Sequence, residues 1–348
     1  MYVCGITPYD VTHLGHAATF VWTDAAARVL RHIGAEVQLT RNVTDVDDVL
    51  LEAARRAGSP YDRFAAVQQF RFDQDMAALG VRRPTHEPRA HSYIIHVVAL
   101  GAALLVAGRA YLRDGSVYFR GADVHRRVGL DRDAALRLAE EYGGRVDDPA
   151  KEDPLDVAVW QASGPDEPSW PSPWGPGRPG WHAECTAMAL STYGPALDLH
   201  AGGADLRFPH HAYEAAQAEA VTGVRPFARA WMHVGTVRVG GEKMAKSAGN
   251  LVLVSDLLTK HPAAAVRLLV LDRAWAEPWG YEPAELAAAE QRLEELYSVA
   301  GRAESSGAVE RAVVAALLED LDVPRALRIA LDEGGGAART LIEILGLR

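Results

Sequence analysis

The chain has 348 residues, a formal net charge of −10 and 49% hydrophobic residues. That length can bury one large core with an insertion, or two to three domains. No run of eighteen apolar residues exists, so no membrane-spanning helix is expected, and the acidic balance disfavours RNA as a partner unless a local basic patch supplies the charge.

The chain opens on Met1-Tyr2-Val3, a short apolar run that can form a buried strand, which Gly5, Thr7 and Pro8 are expected to break. Phe20, Val21, Ala25, Val29 and Leu30 recur at helical spacing and predict a helix over 14–33. A strand, a sharp turn and a helix start is a phosphate-binding geometry, because the first N–H groups of a helix are free and its dipole is positive there. His13 and His16 stand at that helix start with Gly15 between them, where imidazoles can donate to phosphate oxygens. Val37 to Thr40 predict a second strand, and strand, helix, strand over so short a span implies a parallel sheet. The acidic cluster Asp45, Asp47, Asp48 that follows fits a solvated turn better than a Mg²⁺ site.

Residues 51–79 predict helix, interrupted near Gly58-Ser59-Pro60, and 90–107 predict helix again. Asp114-Gly115 between two strand-like runs is a hairpin signal. Residues 140–149 predict a polar loop and 156–160 a strand. The stretch 167–179 holds five prolines and is expected to be a stiff irregular loop that delivers Trp181 and Cys185. Leu197 to His200 predict a strand that turns at Gly202-Gly203, and His210 to Val221 predict a helix. Strands over 230–234 and 237–239 lead to Gly240-Gly241 and a lysine-bearing loop, and from Pro283 onward the pattern is helical.

Two short motifs carry a resemblance. His13-Leu14-Gly15-His16 resembles the HIGH signature of class I aminoacyl-tRNA synthetases, and Lys243-Met244-Ala245-Lys246-Ser247 resembles their KMSKS loop, with Ala245 where serine is usual. Each is weak alone, but in this order and spacing they are strong together. Between them lie Cys4, the run Arg178 to Cys185, and Phe208-Pro209-His210-His211, a set similar to cysteinyl-tRNA synthetases and, more closely, to the mycothiol-pathway cysteine ligases. The closer likeness rests on Thr7-Pro8-Tyr9-Asp10, His16-Ala17-Ala18-Thr19, Gly143-Gly144 and the run 167–173.

The resemblance covers nearly the whole chain and implies an α/β fold: a class I synthetase-type Rossmann (HUP) nucleotide-binding domain with an insertion and a C-terminal helical domain. The halves of the Rossmann domain would occupy 1–82 and 166–280, the insertion 83–165 and the helical domain 281–348. It implies ATP-dependent activation of L-cysteine to cysteinyl-adenylate and transfer to the amine of glucosaminyl-inositol. His13, His16, Lys243 and Lys246 would act on the phosphates, with Mg²⁺ accompanying ATP. Cys4, Gly5, Ile6, Thr7, Thr19, Asn42, Val43, Thr44, Trp181, Gly203, Ala204, Asp205 and Val237 would line the cysteine and adenylate sites. Ala245 removes one hydroxyl and is expected to leave activity intact.

The two cysteines, Cys4 and Cys185, can form one disulfide, but their places inside these motifs make metal binding the expectation. Zinc takes thiolate, imidazole and carboxylate ligands. His210 and Glu214 are four residues apart and share a helix face, so Cys4, Cys185, His210 and Glu214 are the candidate ligands of one Zn²⁺. Glu214 fits a fourth ligand, a group that orients a ligand, or a surface carboxylate equally well. Its counterpart is expected in the tRNA synthetases and not in the ligases. A shortened cysteinyl-tRNA synthetase is therefore the second reading, disfavoured by the little chain beyond the helical domain and its acidic end. An inactive paralogue that binds cysteine or nucleotide is the third. A cytoplasmic monomer is expected, and both families are expected to carry a longer segment ahead of Cys4.

Overall fold

A computed structural model describes residues 1–165, 167–244 and 249–348. In chain order the elements are β1 (Tyr2–Ile6), α1 (Leu14–His32), β2 (Thr40–Val43), α2 (Asp48–Arg56), α3 (Tyr61–Ala78), α4 (Ile94–Val106), β3 (Ala110–Arg113), β4 (Ser116–Phe119) and α5 (Arg132–Glu141). Then come β5 (Val157–Ala162), β6 (Gly177–Pro179), α6 (Trp181–Tyr193), β7 (Leu197–Gly203), α7 (His210–Thr222), β8 (Ala228–Val234), β9 (Val237–Val239) and β10 (Glu242–Lys243). The remainder is α8 (Val254–Leu258), α9 (Ala263–Leu271), β11 (Trp279–Gly280), α10 (Pro283–Ala300), α11 (Gly307–Leu318), α12 (Val323–Glu333) and α13 (Gly335–Leu345). No helix among the described residues is long and apolar enough to cross a membrane.

The chain divides into two compact units. The first takes 1–9, 39–67 and 84–233. Its main sheet has the order β2-β1-β7-β8, with β1 parallel to both neighbours. Parallel strands are the mark of the nucleotide-binding α/β class, so the expected class is the one formed. Beside it an antiparallel sheet runs β3-β4-β5-β6. Asp114 (φ 51°) and Gly115 (φ 77°) turn β3 into β4 with both central residues left-handed, the geometry an Asp-Gly pair favours. One apolar core gathers Val97, Leu104, Phe119, Val159, Trp160 and Tyr213. A second lies under the parallel sheet around Tyr2, Met188, Ala218 and Phe227.

Three local expectations change. Gly5 does not end β1. The strand runs on to Ile6, because a side chain at Gly5 would stand 1.8 Å from the Asn42 carbonyl oxygen and glycine alone admits that approach. The second strand starts at Thr40 rather than Val37, since pairing begins where Tyr2 meets Thr40. Finally, Gly177–Pro179 forms β6 at a sheet edge, where a proline lacking its N–H is tolerated. Trp181 and Cys185 consequently sit on α6, which starts immediately after β6, and not on a loop.

The second unit takes 10–38, 68–83 and 234–348. It holds α1, the end of α3, the small sheet β10-β9-β11 and helices α8 to α13. His13 caps α1 by accepting from the Gly15 N–H at 3.1 Å. The segment before α1 is pinned to the one before α8: Leu14 N donates to Val252 O at 2.8 Å and Val254 N to Thr12 O at 3.1 Å. Arg267, 1% exposed, donates to Asp24 Oδ2 at 2.8 Å and to the carbonyls of Leu79 and Leu345, tying α9 to α1, α3 and α13. A buried guanidinium is tolerable when its donors are met in this way.

Candidate active site

Cys4, Cys185, His210 and Glu214 meet in the first unit. Cys4 comes from the middle of β1, Cys185 from the second turn of α6, and His210 and Glu214 from the first two turns of α7. One donor atom from each lies within 4.8 Å of the others. Cys4 Sγ is 3.2 Å and His210 Nε2 3.0 Å from Glu214 Oε1, and His210 Nε2 is 3.3 Å from Cys185 Sγ. The two cysteines carry no disulfide. All four residues are buried, with Glu214 at 0% exposure, which removes the surface-carboxylate reading.

Two thiols, an imidazole and a carboxylate whose donor atoms lie within 4.8 Å of one another are a donor set suited to a tetrahedral zinc site. The electrostatics point the same way. Burial pushes the Cys185 thiol up to about 11, and burial with Cys185 and Glu214 beside it pushes Cys4 well above its usual range. Burial also holds His210 far below the usual histidine range, leaving a neutral imidazole able to ligate. Two thiols in one dry pocket resist ionisation until a cation arrives.

The surrounding residues hold these donors in place. Asn42 receives the Gly5 N–H on Oδ1 at 3.0 Å and donates through Nδ2 to Cys185 Sγ at 3.1 Å, which couples β2 to both β1 and α6. Thr7 and Thr44 share a hydroxyl–hydroxyl bond of 2.6 Å. Trp181 stacks on His210 at 4.1 Å between ring centroids. His182 Nδ1 lies 2.8 Å from His210 Nδ1, and burial holds His182 down to about 3.

His200 and His233, which join His211 beside the cluster, drew no role from the sequence. His200 Nε2 is 3.1 Å from Glu214 Oε2, and His211 Nδ1 is 2.9 Å from His233 Nε2. Cys4, His200, His211 and Glu214 form a second group of donor atoms within 4.8 Å, and His200 Nδ1 and His211 Nε2 are buried with no hydrogen-bond partner among the described residues. No alternation marked His200, since β7 is buried at His200, Ala201 and Gly202 in succession. Gly202 makes room for a neighbour: a side chain there would come within 2.8 Å of the His211 ring. Val43 is buried in β2, Gly203 ends β7, and Ala204 and Asp205 form the half-buried 3₁₀ turn after it.

The second unit carries His13, His16, Thr19, Val237 and Lys243. His13 and His16 stack at 3.8 Å with their planes 25° apart. The bond from Gly15 leaves His13 Nδ1 as acceptor, so its Nε2 carries the proton and can donate. Thr19 lies half-buried one turn further along α1, Val237 is buried in β9, and Lys243 ends β10 fully at the surface. A side chain at Gly15 would be 3.3 Å from Met244 Cε, so the histidine turn and the start of the lysine loop are neighbours. Ala245, Lys246 and Ser247 lie outside the described residues.

Glu214→Gln keeps the volume and one oxygen but removes the charge. As a metal donor, its loss should lower zinc affinity by more than the roughly 10- to 100-fold typical of a group that only orients a ligand. Zinc titration against a competing chelator reads the difference. Unchanged affinity and unchanged cysteine activation would take Glu214 out of the site.

Residues 1–291 match the family model described as tRNA synthetases class I (C) catalytic domain. The L-cysteine:1D-myo-inositol 2-amino-2-deoxy-alpha-D-glucopyranoside ligase of Mycolicibacterium vanbaalenii is 47% identical over 95% of this chain and 80% of its own length. The cysteine–tRNA ligase of Alkalilimnicola ehrlichii is 41% identical over 99% of this chain and 79% of its own length. Among solved structures, Mycobacterium tuberculosis methionyl-tRNA synthetase in complex with methionyl-adenylate shares the fold with a TM-score of 0.66 at 18% identity, covering 99% of this chain and 81% of that one. With the family model spanning most of its length and relatives of this identity, the chain belongs to the class I tRNA synthetase family that holds both these cysteine ligases of an amino sugar and the cysteine–tRNA ligases.

Proposed function

We propose that this chain activates L-cysteine with ATP and joins it to the amine of 1D-myo-inositol 2-amino-2-deoxy-alpha-D-glucopyranoside. The observation that carries this reading is the 44–47% identity to ligases of that name from several actinobacteria, in matches that run over at least 94% of the chain. The buried thiol, imidazole and carboxylate cluster supports it.

In the first step a carboxylate oxygen of cysteine attacks the α-phosphorus of ATP, and the bond to pyrophosphate breaks. Such chemistry needs positioning and charge neutralisation rather than a protein nucleophile. His13, with its Nε2 proton outward from the cap, and His16 beside it would donate to the α-phosphate oxygens. Lys243 and Lys246 would hold the departing pyrophosphate, with ATP arriving as its Mg²⁺ complex. Cys4, Cys185, His210 and Glu214 would hold zinc. Bound zinc would supply a soft Lewis acid that takes a thiolate far better than a serine hydroxyl, which selects cysteine. Trp181 would wall the small side-chain pocket, and Gly5, Ile6, Thr7, Asn42, Val43 and Thr44 would border the adenylate with Gly203, Ala204 and Asp205. In the second step the neutral amine attacks the activated carbonyl carbon, the bond from that carbon to the AMP oxygen breaks, the nitrogen gives up a proton to solvent, and AMP and an amide result. The protein would work in the cytoplasm.

A second reading, transfer to tRNA, is favoured by Glu214 as a fourth donor in the cluster and by the cysteine–tRNA ligase relative. One competition separates them. Purified protein with ATP and labelled cysteine is offered the amino sugar or tRNA. We expect ATP–pyrophosphate exchange without RNA and a labelled amide with the sugar. RNA affinity rests on phosphate neutralisation, which a chain of net charge −10 supplies poorly. Efficient charging of tRNA with no sugar product would replace the ligase reading by the synthetase one, and absence of exchange would leave an inactive binding protein.

A further inference from the structure

A cavity of about 490 Å³ opens in the first unit beside the metal cluster. Its wall is built by the start of α2, the end of α5 with the loop that follows, the first residues of β5, and Trp181 and His182 at the head of α6. Trp181 and His182 also pack against His210. The cavity therefore begins one side-chain layer from the donors proposed to hold zinc. Thr7, at the end of β1, lines it too. None of the four donors themselves lines it, so it is a second compartment.

Its charges are unevenly spent. Asp156 is saturated by the Gly121 N–H, the Tyr111 hydroxyl and the Asp153 N–H. Asp48 pairs with Arg178 at 2.8 Å, and Arg145 with Asp148 at 3.5 Å. Asp47 is 9% exposed and uses Oδ1 to cap α2 through the Val49 N–H. Its other oxygen has no hydrogen-bond partner among the described residues. Burial, with Asp48 adjacent, pushes this carboxyl up to about 7, the condition of a carboxylate that gains from a cation. Gln161 spends only its Nε2, on Pro179 O at 3.3 Å, and Glu141 stands exposed at the rim. A space of this size accepts a molecule the size of a disaccharide.

We propose that this cavity is the acceptor subsite, holding the sugar's ammonium against Asp47 and its hydroxyls against Glu141, Lys151 and Gln161. The assignment rests on the ligase reading above and extends it to residues of α2, α5 and β5. Recognition by a carboxylate suits an amine on a hydroxyl-rich ring. It does not suit the phosphates of a tRNA end, which Asp47, Asp48 and Glu141 would repel.

Asp47→Asn isolates the charge, because asparagine caps a helix as well as aspartate does. Steady-state ligation is measured with the amino sugar as varied substrate, with ATP–pyrophosphate exchange as the control for the cysteine half. The inhibition constant of the glucosyl-inositol analogue, whose amine is a hydroxyl, is measured alongside. Loss of one charge-assisted hydrogen bond should raise the amino sugar KM by about 10- to 100-fold. Exchange and the analogue's inhibition constant should stay as in the parent protein. Glu141→Gln, at the exposed rim, should raise the same KM by a smaller factor. An unchanged KM in both variants, or equal weakening of amino sugar and analogue by Asp47→Asn, would overturn the subsite while leaving the ligase reading intact. Parent protein that charges tRNA and makes no sugar amide would overturn both.

Discussion

Cys185→Ala is expected to lose bound zinc and to bring cysteine-dependent ATP–pyrophosphate exchange to background. Cys185 is 1% exposed, with its sulfur 3.3 Å from His210 Nε2 and 3.1 Å from the Asn42 amide. Removing it takes one donor of four and one of the two soft ones, so the loss in metal affinity should exceed the roughly 100-fold upper range seen when only an outer partner is removed. It also leaves His210 Nε2 with Glu214 alone among its bonding neighbours in the cluster. A cavity in the core would lower stability too, so Cys185→Ser is the matched control. Serine refills the space but is a hard, weakly acidic donor. If the sulfur matters as a ligand, both variants fail together. If only packing matters, serine restores exchange. Metal analysis alongside thermal unfolding checks this, and full zinc occupancy in both variants removes Cys185 from the site.

The elements that local chemistry determines were legible in the sequence. The Asp114-Gly115 hairpin follows from two left-handed positions, and the helix expected over 14–33, which runs from Leu14 to His32, follows from apolar spacing. The pairing of His210 with Glu214 follows from a single helical turn. What the sequence did not show is set by partners distant along the chain. Gly5 looked like a strand breaker because the Asn42 backbone that passes it, 37 residues later, has no local trace. Gly202 looked like a turn residue, yet the space it leaves belongs to the His211 ring. His200 and His182 drew no role from the sequence, and only the fold brings the first to Glu214 and the second to His210. The cavity at α2 was invisible for the same reason: Asp47 looked like one of three solvated acids in a turn, but β5 and α6, more than a hundred residues later, close over it.

His16→Ala separates the phosphate half of the chemistry from the metal half. The two imidazoles stack at 3.8 Å, and His13 is committed through Nδ1 to its own helix cap, so each has one orientation to offer a phosphate. Donors fixed in advance stabilise charge developing on the phosphorus oxygens without reorganising. Loss of one such donor typically costs about 100- to 1,000-fold in rate. Cysteine-dependent exchange should fall by that factor in His16→Ala, with zinc content equal to that of the parent protein, because His16 belongs to the second unit and the metal donors to the first. Gly15→Ala should fall too, for a different reason. A methyl there would stand 2.9 Å from His13 Cε1 and 3.0 Å from its Nδ1, pushing the ring off its cap while leaving both imidazoles present. The contrast with Cys185→Ala is the informative one: metal lost with activity in one case, metal kept and activity lost in the other. Exchange that survives His16→Ala at the parental rate would show that this imidazole does not bear on the phosphate, and the role would pass to His13 and the lysines.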